Sequence, residues 1–362
     1  MAKSIRIPIE QLSEGMTLGD DVVNSNGLIL IPKNTVIHQK HIFRLKLYDI
    51  LSVIILDLPV TDYYPEAIRQ PHANIHIERT DLPFLEFQNN YAIKETQIKH
   101  HLESISNGEP VQIDELLDIS YSLLEQLKTK SNLFNYLHDI KTTDDYTFSH
   151  SINVSLLSNI FAHWLQLTHK EIEEITLAGL LHDLGKTKIS LDLLNKPGKL
   201  TDEEFASIKK HSQYGFELIK DQTIPYDVKM GVLMHHEKLN GSGYPLGIKD
   251  EYIHPYAKII SIVDIYDAMT STRSYHEKAC PFKVIHMFEY ESYGLLDTSM
   301  LFVFLANIAH NYLGKVVRLS SGDEGKIIFI HNTSPSKPII EIGEKILDLA
   351  VLPHLSIEEI LY

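Results

Sequence analysis

Apolar positions along the chain change period twice, and the changes divide it into zones. From Ile5 to Leu56 they come in short alternating runs, Ile5-Arg-Ile7-Pro-Ile9, Gly27-Leu-Ile-Leu-Ile31 and Val53-Ile-Ile-Leu56, around a short helical stretch at His41–Leu47. Period two belongs to strands, so a small β-rich domain is expected over residues 1–60. Residues 61–82 show little periodicity and read as a linker. From Pro83 to about Leu137 two helical stretches follow, broken at Ser106-Asn-Gly108-Glu-Pro110, and the zone 61–110 is assigned as linker and helix. The 83–137 stretches either pack on the next domain or form a dimer face. Between 111 and 315 apolar residues recur at three and four, the spacing of buried helices. After Gly314 the runs shorten again, Lys315-Val-Val-Arg-Leu319, Gly325-Lys-Ile-Ile-Phe-Ile330 and Pro338-Ile-Ile-Glu-Ile342, so 316–362 should be a short β extension. The fold expected is mainly α: a helical bundle with a small β-rich N-terminal domain and a short C-terminal β extension.

The helical zone carries the chemistry. Seven metal-binding side chains fall in it: His150, the pair His182 and Asp183, His211, the pair His235 and His236, and Asp264. In Ile172-Glu-Glu-Ile175-Thr-Leu177-Ala178-Gly179-Leu180-Leu181-His182-Asp183 the apolar spacing ends at the pair, placing it at a helix C-terminus with Gly185 just beyond. His150 lies in a second buried helix through Leu156, Leu157 and Ile160. Thr201-Asp-Glu-Glu204 is a capping box for a third, running through Phe205 and Ile208 to His211. A fourth, from Tyr226 through Val228, Val232 and Leu233, delivers His235 and His236, and Asp264 and Asp267 share a fifth. Five helices presenting ligands to one point describe a bundle with its site in the core.

Seven ligands exceed the six donors of one octahedral ion. If Asp183 bridges two ions, about four of their twelve positions remain for water and substrate. An open pair of ions about 3.5–4 Å apart suits phosphoryl hydrolysis by a bridging hydroxide. Lys186 can place an ammonium against a phosphate oxygen. Asp267, one turn after Asp264, could orient Lys186 or relay a proton. Arg273 offers a bidentate fork for a phosphate or a guanine edge. Asn240-Gly-Ser-Gly-Tyr-Pro-Leu-Gly247 is a loop by composition and can set the pocket's shape.

These residues resemble the HD-GYP phosphodiesterases, a group within the HD-domain metal-dependent phosphohydrolases. The matching segments are Tyr146-Thr-Phe-Ser-His150, Leu180-Leu-His182-Asp183-Leu-Gly185-Lys186, Asn195 through Lys210-His211, His235-His236-Glu237 through Gly243-Tyr244-Pro245-Leu-Gly247, and Val263-Asp264-Ile-Tyr-Asp267 through Arg273-Ser-Tyr275. Residues 4–56 resemble, more weakly, the segment upstream of many such domains. The resemblance implies hydrolysis of cyclic di-GMP, to the linear dinucleotide or GMP, with iron or manganese as cofactor. It implies one metal on His150, His182, Asp183 and Asp264, another on Asp183, His211, His235 and His236, and substrate contacts from Gly243, Tyr244 and Pro245. Asn240 stands where members often have Asp, and Tyr146 where some are thought to place a carboxylate for a third metal, which favours two metals. Cyclic GMP-AMP or another nucleotide as substrate, or a binding protein without turnover, are the alternatives.

Composition narrows the setting. With 362 residues, 44% of them hydrophobic, the chain can bury a large core in two or three units. The single cysteine, Cys280, excludes an internal disulfide, no secretory leader is visible, and Met300–Ala309 is too short to span a bilayer. A cytoplasmic protein without membrane insertion is expected. A net charge of −15 argues against nonspecific nucleic-acid binding, and an anionic substrate would need Lys186, Lys209, Lys210, Lys238 and Arg273 to reverse the field locally.

Overall fold

The computed structural model describes residues 3–23, 29–48, 50–57, 82–127, 131–140, 146–194, 196, 201–271 and 279–361. Strand β1 (Lys3–Pro8), β2 (Val22–Val23), β3 (Ile29–Ile31), helix α1 (Gln39–Leu47) and β4 (Ser52–Asp57) form the N-terminal unit. β1 pairs antiparallel with β4, and β2 with β3. The alternation puts Ile7, Ile9 and Val53 inside, where they meet Leu12, Leu18, Ile31, Ile37 and Ile42 in a small core of their own. The other face of α1 belongs to the main core through Phe43 and Leu47. Phe43 meets Phe288 edge-on at 5.1 Å, and Lys46 Nζ donates to the Ala268 carbonyl at 2.7 Å.

Helices α2 (Leu82–Ser106), α3 (Ile113–Glu125), α4 (Ser131–Asp139), α5 (Tyr146–Trp164) and α6 (His169–Leu181) come next. The chain breaks between α2 and α3 at the Asn-Gly-Glu-Pro segment, and the stretch up to Leu137 holds three helices where spacing predicted two. Short α7 (Leu191–Leu194), α8 (Asp202–Lys209), α9 (His211–Ile219), α10 (Tyr226–Met234), α11 (Pro255–Thr270), α12 (Pro281–Glu291) and α13 (Thr298–His310) complete the bundle. Capping boxes Thr168/Glu171 and Thr201/Glu204 start α6 and α8.

Helix α6 is buried on nearly all sides, with Ile172, Ile175, Leu177, Leu180 and Leu181 inside, and it packs against α5, α10 and α11. Such a helix sits at the centre of a bundle. Ser120 Oγ and Ser155 Oγ lie 2.7 Å apart between α3 and α5, and Ser155 Oγ donates to the Thr176 carbonyl of α6. These hydrogen bonds satisfy buried hydroxyls and fix the register of three helices.

The C-terminal zone is the β extension that the apolar runs predicted. Strands β5 (Val316–Leu319), β6 (Glu324–Phe329), β7 (Ile339–Ile342), β8 (Lys345–Asp348) and β9 (Ile357–Leu361) form one antiparallel sheet in the order β8-β7-β6-β5-β9. The final strand, Ile357–Leu361, closes against β5, and Val317, Ile327, Ile340 and Ile357 extend the main core. Its polar Glu358 and Glu359 mask that strand in the apolar pattern. The linker 61–81, Asp144, Asp145 and Arg273 lie outside the described residues, as does the side chain of Tyr146.

Candidate metal centre

Three of the seven singled-out residues reach the site by the same local device. His182 caps α6, His235 caps α10, and His211 follows the last turn of α8 by two residues. In each, ring Nδ1 lies against the carbonyl three residues back: Gly179 at 2.7 Å, Val232 at 2.8 Å, Ile208 at 2.9 Å. A carbonyl only accepts, so Nδ1 carries the proton and Nε2 presents its lone pair. At His211 the ring competes for a carbonyl that a continuing helix would use. The expected single helix to His211 therefore ends at Lys209, and α9 begins at His211 itself.

His150 is held differently. Its Nδ1 lies 2.7 Å from Asp267 Oδ2, and its Nε2 lies 2.9 Å from Asp264 Oδ1. Asp267 Oδ1 accepts from Asn153 Nδ2 at 2.9 Å and from Ser271 Oγ at 2.8 Å. Asp267 is only 2% exposed, so its carboxylate serves the His150 ring from behind. Asp267 was expected to orient Lys186 or relay a proton, and the structure places it against the His150 ring. Its i+3 spacing from Asp264 gave the helix face but not the helix packed against it.

The ligand atoms gather in two groups. Those of His150, His182 and Asp264 lie within 4.8 Å of one another, as do those of His211, His235 and His236. Asp183 stands between them. Its Oδ2 is 3.3 Å from His182 Nε2 and 3.7 Å from His150 Nε2, while Oδ1 is 3.4 Å from His211 Nε2. One carboxylate thus turns one oxygen toward each group. Gly185 lets this turn close, since a Cβ there would fall 1.8 Å from the His211 carbonyl oxygen.

Electrostatics differ between the groups. Burial pushes His211 down to about 3, only partly offset by Asp183, and burial together with His236, His182 and His211 pushes His235 well below its ordinary value. Both rings are neutral at pH 7. His150 is also buried, but its hydrogen bonds to Asp264 and Asp267 outweigh desolvation and raise it to about 9. Burial would raise Asp183, yet Lys186, His182 and His211 hold it well below the usual carboxylate range, and His150 does the same for Asp264.

The donor set passes a direct test for divalent cations. His211 Nε2 and His235 Nε2 lie 3.2 Å apart and buried, both aiming lone pairs at one another. Two such lone pairs repel unless a cation lies between them. Imidazole plus carboxylate donors suit iron, manganese or zinc rather than calcium or magnesium.

Beside the ligands, Lys186 Nζ lies 2.6 Å from Asp183 Oδ2 and remains partly exposed. The glycine-rich loop folds back onto the site, with Tyr244 stacked on His236 at 4.6 Å. Gly243 permits that approach, because a Cβ would fall 2.4 Å from the His236 carbonyl oxygen. Lys209 Nζ sits 5.4 Å from the Tyr244 ring centre. Asn240 Oδ1 accepts from the Ser242 amide, a turn that Asp would make equally. Lys210 is exposed, but Lys238 is 1% exposed and faces the interior, so it is not part of a surface cationic rim.

Sequence reasoning missed Glu237. Its carboxylate accepts from the amides of Leu246 at 2.6 Å, Gly247 at 3.2 Å and Ile248 at 3.2 Å, tying the loop to the residue after the ligand pair. Its position directly after two ligands was the available signal.

A helical bundle that gathers histidines and aspartates from five helices around one Asp is the arrangement of the metal-dependent HD hydrolases. Residues 112–290 match the family model described as HD domain, and the glycine-tyrosine-proline loop that follows the histidine pair resembles that of the HD-GYP group. Cyclic di-GMP phosphodiesterase PA4108 of Pseudomonas aeruginosa is 36% identical over 207 residues, 56% of this chain and 49% of that protein. The 3'3'-cGAMP-specific phosphodiesterase 1 of Vibrio cholerae is 28% identical over 225 residues, 59% of this chain and 48% of that protein. A cyclic di-GMP phosphodiesterase of Thermotoga maritima is 36% identical over 150 residues, 40% of each chain. The chain spans about half the length or less of these relatives. No helix among the described residues is long and apolar enough to cross a membrane.

Proposed function

We propose that this protein is a phosphodiesterase that hydrolyses cyclic di-GMP at two divalent cations, iron or manganese, sharing Asp183. The observation that carries the reading is the position of that one carboxylate, with an oxygen toward each three-donor group and Lys186 beside it. One cation would be held by His150, His182, Asp264 and Asp183, the other by His211, His235, His236 and Asp183. Bound there, the pair would supply Lewis acidity at a phosphoryl oxygen and lower the pKa of a water.

The chain's own residues do the rest. The ligands' Nδ1 partners fix the rings before substrate arrives, so little reorganisation remains. The Lys186 ammonium faces the charge that builds on a non-bridging oxygen as water adds to phosphorus and the ester P–O bond breaks. Gly243, Tyr244 and Pro245, in the loop braced by Glu237, form the wall on which the dinucleotide rests, and Arg273 provides a second cation for its other phosphate. The names of the curated relatives support a cyclic dinucleotide as substrate.

Cyclic GMP-AMP is the second reading, favoured by the relatives from Vibrio cholerae that act on it. Timed chromatography of both dinucleotides with the metal-loaded protein separates the two. Faster loss of cyclic di-GMP, yielding the linear dinucleotide or GMP and absent in Asp183→Ala, is the expected result. Faster loss of cyclic GMP-AMP would replace the substrate, and two bound metals without turnover of either would point to a binding protein.

A further inference from the structure

One hydrogen-bonded chain leaves the metal centre and ends on a helix outside the family-matched segment. His150 Nδ1 is bonded to Asp267, and Asp267 Oδ1 accepts from Asn153 Nδ2. The oxygen of that amide, Asn153 Oδ1, accepts from the Tyr91 hydroxyl at 2.6 Å, and the same hydroxyl lies 3.0 Å from the Ser149 carbonyl. Tyr91, Asn153, Asp267 and His150 are all buried. Tyr91 stands on α2, Leu82–Ser106, whereas the HD match begins at residue 112.

The chain has a direction. Asn153 can serve Asp267 only with its NH₂ group turned toward the carboxylate, since the reversed amide would set oxygen against oxygen. A donor at Tyr91 selects that orientation by giving the amide oxygen its partner. A buried acceptor without one is costly, so the three groups hold each other in a single arrangement.

We infer that Tyr91 and Asn153 are positioning residues for the His150 cation position, making α2 a working part of the centre. The inference rests on His150 being a ligand. Outer partners of a ligating histidine alter metal affinity by about 10–100-fold when removed. Asn153→Ala therefore weakens the His150 position about tenfold or more, and Tyr91→Phe, one bond further out, by roughly threefold. The position of His211, His235 and His236 keeps its affinity in both.

The test is manganese(II) titration of the metal-stripped full chain followed by electron paramagnetic resonance, repeated in a His236→Ala background to assign the weakened position. Leu102→Ala loosens the same helix three turns away from Tyr91. Selective weakening in Asn153→Ala and Tyr91→Phe, absent in Leu102→Ala, is the expected result. Unchanged affinity in Tyr91→Phe and Asn153→Ala, or equal weakening in Leu102→Ala, overturns the inference while leaving the two-metal reading intact. Failure of the unaltered protein to bind manganese overturns both.

Discussion

The two halves of the metal centre are built by different means. Around His211 and His235 the rings are anchored by their own helices' carbonyls, and burial keeps them neutral. Around His150 the anchor is a side chain, Asp267, itself fixed by Asn153 and Ser271, and the ring is held among carboxylates. A backbone anchor comes with the helix end and cannot be removed by substitution. A side-chain anchor can be altered without touching a ligand, so the His150 half is where affinity can be tuned from a distance.

Asp183 belongs to both halves, and its loss should give the largest effect. Asp183→Ala is expected to empty both positions and lower turnover at least about a thousandfold, checked by metal analysis beside the chromatographic assay. Retention of two metals would mean that the halves are independent. Asp267→Asn sharpens the contrast: it keeps the shape and removes the charge behind His150. Affinity at that position should fall about 10–100-fold with the three-histidine position unchanged, a split readable by manganese titration. Equal weakening of both would remove the distinction drawn between anchors.

Lys186→Met should leave both metals in place and lower kcat about a hundredfold with KM little changed, since its ammonium acts on charge that builds in the transition state. A rise in KM with kcat preserved would make it a ground-state contact. Glu237→Gln should give the smallest change. One carboxylate oxygen facing loop amides becomes an NH₂ group, the loop loosens, and KM should rise roughly fivefold with metal content intact. Steady-state kinetics at several substrate concentrations decides it, and an unchanged KM would show that the loop does not depend on this brace.

How much of this was legible in the chain follows the range of each interaction. The helix ends at His182 and His235 could be read because the apolar period stops there, and the Thr201 cap is a four-residue motif. The break before His211 was not, because a ring competing for the Ile208 carbonyl leaves no mark on hydrophobic spacing. Asp267 was placed on the right face, but its bond to His150 was not foreseen, since the periodicity of one helix says nothing about which neighbour packs on it. Tyr91 and Asn153 are 62 residues apart and ordinary in composition, so nothing local signals their contact. The C-terminal β extension was legible as far as Ile342, and β9 was not, because the adjacent Glu358 and Glu359 break its period-two alternation.

Anomalous diffraction from crystals of the manganese-loaded protein tests the shared carboxylate most directly. The account predicts two peaks, one beside each oxygen of Asp183, with the first among His150, His182 and Asp264 and the second among His211, His235 and His236. A single peak, or two peaks that do not share Asp183, would contradict it.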